Sequence, residues 1–287
     1  MSLTACDNSP LDDKHASRTP SVSALGASMN RSARYTVREE ACLPRPGRRP
    51  PEKLYSEPAL GVVLSGSFDY RAQNGEAIAV PGTVLLGNRA EHFECHPHNC
   101  VGNRRLAVYF QSDFLAEVAD SYGLVARFQV AAIPSGRFSA AAFGWIRRVV
   151  LQREDHEEAA YKLALAALRV SRPGLKPIVV SSLNQKRVLN IVRHIENYYH
   201  EPCSLKALAR LVRLSPCYFL RVFQRVTGQS PAQYVMHVRL RAAADNLLTT
   251  CAPIGEVALN AGFNDISHFN ASFRKVFGRN PTHWRLR

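Results

Sequence analysis

The 287-residue chain lacks most of what would mark a secreted, membrane-spanning or catalytic protein. No apolar run reaches the ~18 residues of a membrane-spanning helix, so no span is expected. The first 30 residues contain Asp7, Asp12, Asp13 and Lys14 and no apolar core segment, which argues against a secretory signal. Cysteine is sparse and odd in number. Cys6, Cys42, Cys95, Cys100, Cys203, Cys217 and Cys251 are too scattered for a disulfide framework, so a reducing cytoplasm is the expected location. There is no glycine-rich phosphate loop, no Gly-x-Ser-x-Gly and no His-Glu-x-x-His, and His237 and His268 stand alone. Neither an enzyme nor a bound cofactor is expected. Acidic residues are also in deficit, 23 against 37 Lys and Arg, for a net charge of +14. That excess implies an anionic partner such as nucleic acid or a membrane surface. Residues 181–287 carry 15 basic against 5 acidic side chains, and Arg31, Arg34, Arg38, Arg45, Arg48 and Arg49 add to the excess near the start.

What the chain does have is an internal repeat in its last hundred residues. Phe219, Phe223, Gly228 and Pro231 recur as Phe269, Phe273, Gly278 and Pro281, each 50 residues later. Ser204 caps a short helix from Leu205, and Ser215-Pro216 and Ser230-Pro231 each set a capping serine before a first-turn proline. In the second unit Pro253 opens the short helix, Asp265 caps the long one, and Asn280-Pro281 repeats the serine–proline signal. The pattern predicts short helix, turn and longer helix, twice, joined by a long helix from Pro231 to about Leu248. The inward stripes are Phe219, Val222, Phe223 and Val226 in unit one, and Ile266, Phe269, Phe273, Val276 and Phe277 in unit two.

Ahead of the repeat the periodicity changes. Residues 1–52, rich in Ser, Pro and Arg, read as a disordered or irregular arm. From 53 to 172 short strands alternate with Gly, Pro and Asn-Gly turns: around Leu60–Leu64, Gly66–Arg71, Ile78–Val80, Thr83–Leu86, His92–His96 and Leu106–Phe110. Helices follow, one from a Ser112 cap, one over 139–154 and one over 157–170. A small antiparallel sandwich or barrel with added helices is expected. Residues 173–185 read as a linker and 186–287 as a helical unit beginning at Lys186. The fold class is thus α+β, with a small antiparallel β domain followed by an all-α domain of two helix-turn-helix motifs.

In a helix-turn-helix the second helix lies in the major groove and its first turn reaches base edges. The faces left free by the aromatic stripes assign base contacts to Cys217, Tyr218, Leu220 and Arg221, and to Ser267, His268, Asn270 and Ala271. Arg221 suits guanine and Asn270 suits adenine. Arg225, Arg274, Lys275 and Arg279, later along the helices or beyond them, suit phosphates. Arg239 and Arg241 on the joining helix are either ion-pair partners or further phosphate contacts.

Residues 186–287 closely resemble the AraC/XylS family of bacterial transcription regulators. The resemblance rests on Ala207-Leu-Ala-Arg, Ser215-Pro-Cys-Tyr-Phe-Leu-Arg-Val-Phe, Thr227-Gly-Gln-Ser-Pro-Ala-Gln-Tyr234, Val238-Arg-Leu-Arg-Ala-Ala and Ile254-Gly-Glu-Val-Ala, and above all on the run Ala261-Gly-Phe-Asn-Asp-Ile-Ser-His-Phe through Pro281. It implies a sequence-specific binder of double-stranded DNA, and it implies that the preceding β domain is a cupin-like or jelly-roll domain for effector binding and dimerisation. RNA polymerase is a further partner if the protein is an activator. Among the base-reading positions it implies, Cys217, Leu220 and Ala271 are poor hydrogen bonders, with Arg221, Ser267 and Asn270 beside them.

One cluster falls outside this reading. His92, Cys95, His96, His98 and Cys100 lie within nine residues. His96, His98 and Cys100 would share one side of an extended strand and are metal-ligand types, the basis of an alternative reading as a metal- or thiol-dependent sensor. Pro97 interrupts that strand, and no companion carboxylate stands out. Phe68, Tyr70, Phe93, Tyr109 and Phe110 are candidates to line a ligand cavity, or plain core.

Overall fold

The computed structural model describes residues 28–32, 34–42, 52–98, 102–150, 156–171 and 180–285. Its strands form two antiparallel sheets. One contains, side by side, β1 (Ser28–Arg31), β2 (Tyr35–Cys42), β9 (Asn103–Phe110), β4 (Ala59–Ser65), β7 (Val84–Gly87) and β10 (Ala132–Ile133). The other contains β3 (Lys53–Leu54), β8 (His92–Pro97), β5 (Phe68–Ala72) and β6 (Gly75–Ala79). Asn74-Gly75 makes the expected hairpin, with Ala72 opposite Gly75 at φ 135°. The period of two on β9 divides its side chains. Leu106, Val108 and Phe110 join a core with α1 (Ser112–Asp120), α2 (Arg137–Val150) and α3 (His156–Val170), while Arg105 turns to the second sheet and lies over Phe93.

The expected irregular arm over 1–52 is overturned between residues 28 and 42. β2 pairs with β9 along its whole length, from Tyr35 opposite Phe110 to Cys42 opposite Asn103. Tyr35 and Val37 enter the core, and Glu39 and Glu40 reach Arg104 and Arg105. Much of this strand is held by cross-strand charge pairs, which leave no apolar alternation to read. Pro44–Pro51 lies outside the described residues. Ser112 does not cap α1; Gln111 takes that position without a side-chain bond, and Ser112 Oγ donates to Glu57 at 2.8 Å.

Among the described residues seven helices follow. They are α4 (Ser182–Tyr198), α5 (Leu205–Leu211), α6 (Pro216–Thr227), α7 (Pro231–Thr249), α8 (Ile254–Asn260), α9 (Ile266–Phe277) and α10 (Pro281–Arg285). α4 begins before the expected Lys186 because Ser181 caps it, accepting from the Asn184 amide. Pro253 sits at the cap position of α8 and supplies no side-chain bond. Elsewhere the foreseen caps hold. Ser204, Ser215 and Ser230 each accept an amide, each worth about 1 kcal/mol. Gln233 completes a capping box with Ser230.

The repeat survives at the level of geometry. Phe219 and Phe223 lie 5.5 Å apart, as do Phe269 and Phe273. Tyr234 meets Phe223 edge-on at 5.7 Å, and Trp284, 50 residues later, meets Phe273 edge-on at 5.7 Å. Gly228 and Gly278 end their helices in the left-handed region at φ 78° and 75°. In that region glycine escapes the Cβ clash that other residues meet.

The helices also pack against the sandwich. Val80 belongs to the core of unit one. Tyr234 Oη lies 3.1 Å from the Pro81 carbonyl and 2.8 Å from Glu196 Oε1. Gln185 Nε2 donates to Asp69 at 3.3 Å, and Arg147 of α2 holds Asp245 of α7 at 2.7 Å. Gly144 of α2 lies so close to Phe277 and Trp284 that a Cβ there would fall 2.7 and 2.8 Å from them. The two units differ at one point. A Cβ on Gly228 would lie 2.3 Å from Pro134, whereas one on Gly278 would meet nothing within 4 Å.

That difference is measurable by urea unfolding. Gly278→Ala is expected to cost about 1 kcal/mol, the left-handed strain alone. Gly228→Ala should cost about 2 kcal/mol more, because Pro134 must also move; equal costs would mean that the Pro134 contact is absent in solution. A second prediction concerns pH. His237 bonds to Gln229 at 2.7 Å, and burial, then the charge of Arg241, push it from 6.5 down to about 4. The unfolded chain therefore takes up a proton there before the native one does. Stability from this group is present above pH 6.5 and is lost as pH falls toward 4. His237→Gln should flatten the stability–pH curve in that window; an unchanged slope would refute the assignment.

Candidate nucleic-acid interface

The two long helices of the repeats are built to bury one face and expose the other. In α6 Phe219, Val222, Phe223 and Val226 are buried, while Cys217, Tyr218, Arg221, Gln224 and Arg225 are exposed and Leu220 is half-buried. In α9 Phe269 and Phe273 are buried, and Ser267, His268, Asn270, Ala271, Arg274 and Lys275 are exposed. Arg279 is exposed just past the helix end. The expected inward stripe of α9 needs one correction. Ile266 is 53% exposed, because as the first residue of the helix it lies beyond the reach of the aromatic core. Val276 and Phe277 are half-buried.

Charge reinforces this division. Arg221, Arg225, Arg274, Lys275 and Arg279 all reach solvent. The acidic Asp265 at the start of α9 is engaged by the Ser267 and His268 amides at 2.7 and 3.3 Å. Arg239 and Arg241 face inward instead. Arg239 donates to the Tyr199 and Glu201 carbonyls, and Arg241 pairs with Glu196 at 3.0 Å, so both fix α7 to the preceding helices. Tyr218 is tied as well. Its hydroxyl accepts from Asn184 Nδ2 at 2.9 Å, and the Arg221 guanidinium lies over its ring at 5.8 Å.

A second constellation sits between the sheets, and sequence reasoning missed most of it. Arg105 donates to Glu40 at 2.6 Å, and the Tyr109 hydroxyl donates to the same carboxylate. Arg105 lies 5.1 Å over Phe93, which stacks on Tyr55 at 4.2 Å, and the Tyr55 and Tyr70 hydroxyls share a 2.8 Å bond. Burial works against charge on Glu40, but Arg105 and the Tyr109 hydroxyl outweigh it and hold the carboxyl below its ordinary range. Burial pushes the Tyr55, Tyr70 and Cys95 protons to higher pH. Asn103, on the same face of β9, has a buried Nδ2 without an acceptor. The signal was an Arg-Arg pair inside a strand, with Arg105 opposite Glu40 and Arg104 reaching Glu39 diagonally. Of the aromatic lining candidates, Phe68, Tyr70 and Phe93 share this inter-sheet core with Tyr109 packed against it, whereas Phe110 faces the helices.

The His/Cys stretch is not drawn together. His96 pairs with Glu94 at 2.7 Å, His98 pairs with Asp69 at 2.9 Å, and Cys95 points into the core. Cys100 lies outside the described residues. Among the described residues no three His, Cys, Asp or Glu side chains converge as a metal site would require, and no helix is long and apolar enough to cross a membrane.

Two helix-turn-helix units on one joining helix, behind an antiparallel sandwich, define a DNA-binding transcription regulator with an attached ligand-binding domain. The comparisons agree. A helix-turn-helix domain model matches residues 208–287, and a model of the AraC-like ligand-binding domain matches residues 35–168. Regulatory protein SoxS of Escherichia coli strain K12 is 31% identical over 104 residues, 36% of this chain and 97% of that protein. The melibiose operon regulatory protein of the same strain is 27% identical over 135 residues, 43% of this chain and 45% of that protein. Among solved structures, an AraC-type regulator from Chromobacterium violaceum is 28% identical, covering 37% of this chain and 94% of its own at a TM-score of 0.34. The chain belongs to the AraC/XylS family of bacterial transcription regulators.

The Glu40–Arg105 pair gives the sandwich its own test. Glu40→Ala leaves a buried guanidinium uncompensated and should cost about 3 kcal/mol in urea unfolding. A cost near zero would place Arg105 in water.

Proposed function

We propose that the protein reads a specific duplex sequence with both helix-turn-helix units, under control of a small effector or of dimerisation through the sandwich. The observation that carries this reading is the pair of capped helices α6 and α9, whose aromatic faces are locked and whose basic, hydrogen-bonding faces are in solvent. Cys217, Leu220 and Arg221 then face bases from unit one, with Tyr218 beside Arg221 on the same exposed side, and Ser267, His268, Asn270 and Ala271 face them from unit two. Arg221 is the bidentate partner for guanine and Asn270 the partner for adenine. Arg225, Arg274, Lys275 and Arg279 take phosphates. At 1.5 Å per residue α7 spans about 28 Å, close to the ~34 Å between successive major grooves on one side of DNA. The sandwich and its helices, residues 53–172 together with β1 and β2, would be the sensor, and 173–185 the connection to the reading unit over 186–287. The polar group around Arg105, Glu40, Tyr109 and Asn103 is where an effector would bind. The protein acts in the cytoplasm, with RNA polymerase as a partner if it activates, possesses no catalytic role and needs no cofactor.

Selection of bound sequences from random DNA, with and without cell extract, tests this reading. A defined site should emerge, and extract should change its occupancy if an effector matters; retention of all duplexes alike would sink it. On the selected site Arg221→Ala should cost about 1–3 kcal/mol and relax one base position. Arg274→Ala should weaken every duplex similarly and reduce the salt slope by about one. Small, equal effects of the two would refute the division of roles.

A further inference from the structure

The geometry points to Tyr218 and Asn184 as positioning residues that hold Arg221 against its base, with Tyr218 making no base contact of its own. This rests on the reading of Arg221 as a base contact. Tyr218 is 39% exposed on the same side of α6 as Arg221, yet its polar end is occupied. The hydroxyl accepts from Asn184 Nδ2 at 2.9 Å. Asn184 is itself fixed at several points. Its backbone amide donates to the Ser181 cap, and its Oδ1 accepts from Arg187 at 3.3 Å. The next residue, Gln185, ties the same turn of α4 to Asp69 on β5, which also accepts from His98 at 2.9 Å. The tyrosine ring is thus pinned from outside its own helix.

Arg221 lies one turn further along α6, three residues on, with its guanidinium 5.8 Å from the ring centroid. A free arginine loses rotamer entropy when it makes a bidentate base contact. A ring fixed beneath the guanidinium restricts those rotamers before DNA arrives, so less is lost on binding. Unit two supplies an internal comparison. The residues 50 positions later are His268 and Ala271, so the arginine is absent and the platform with it. The His268 ring leans on Phe263 at 6.1 Å instead. Tyrosine and arginine occur together in one unit; in the other the arginine is absent and the ring at the matching position, His268, is engaged elsewhere, as a paired device would require.

The test uses the full-length chain, a duplex recovered by selection from random DNA with the unaltered protein, and every single-base variant of that duplex. Arg221→Ala defines the base position that Arg221 reads. Tyr218→Ala and Asn184→Ala are expected to reduce discrimination at that same position by about two- to fivefold, the range of an exposed cation–π contact. Other positions and the salt slope should stay unchanged, and Tyr218→Phe should match Asn184→Ala. In an Arg221→Ala background Tyr218→Ala should add nothing. Relaxation at a different position, or a further loss in that background, would make Tyr218 a base reader and overturn the proposal. No change from Tyr218→Ala or Asn184→Ala, with Arg221→Ala still relaxing its position, would overturn it while leaving the base-reading assignment intact. If Arg221→Ala relaxes no position, both fall.

Discussion

The structure depends on one constraint, that α6 and α9, the long helix of each repeat, must each bury one face and leave the opposite face in solvent. A 12-residue helix is marginal in water by itself, so its stability has to come from packing. Phe219 and Phe223 supply it in unit one with Tyr234 edge-on, and Phe269 and Phe273 supply it in unit two with Trp284 edge-on. Because aromatic contacts fix the buried face, the exposed face needs no internal partners. It can carry arginine, asparagine and serine whose hydrogen bonds remain available to a duplex.

The same packing joins the reading unit to the sandwich. α7 serves both repeats: Tyr234 near its start lies in unit one, and Leu240, Ala243 and Leu247 lie in the core of unit two. Its polar residues bind sideways to α2 and α4, through Arg147 to Asp245 and Arg241 to Glu196. Val80, Pro81 and Pro134 from the sandwich rest on unit one, and Gly144 of α2 rests on unit two. The repeat is therefore symmetric within itself and unequal in its surroundings. A change in the sandwich would be felt by the two units through different contacts.

Much of this was legible in residue patterns. The 50-residue spacing of phenylalanines, glycines and prolines, with polar capping residues before most of the helices, is local chemistry, and the caps at Ser204, Ser215, Ser230 and Asp265 all appear as expected. The turns at Asn74-Gly75 and Pro81-Gly82 are local for the same reason. What was missed depends on distant partners. β2 looks irregular because Glu39 and Glu40 sit in a strand. They are paired there because β9 brings Arg105 opposite Glu40 and Arg104 diagonally onto Glu39, each 65 residues away in the chain. Ile266 fits the helical stripe by spacing but lies past the edge of the core it would have joined.

Composition, charge, helix caps and the repeat thus determined that the chain carries two helix-turn-helix units behind a small β domain, since each of these signals acts over a few residues. Tertiary structure alone decided which arginines remain in solvent and which are consumed. Arg221, Arg225 and Arg274 stay exposed, whereas Arg105, Arg239 and Arg241 are taken by Glu40, by backbone carbonyls and by Glu196. It also placed Asn184 on the Tyr218 hydroxyl. A basic side chain reads the same in any sequence. Only the position of an acceptor, set by chain segments far from it, decides whether it is left to meet DNA.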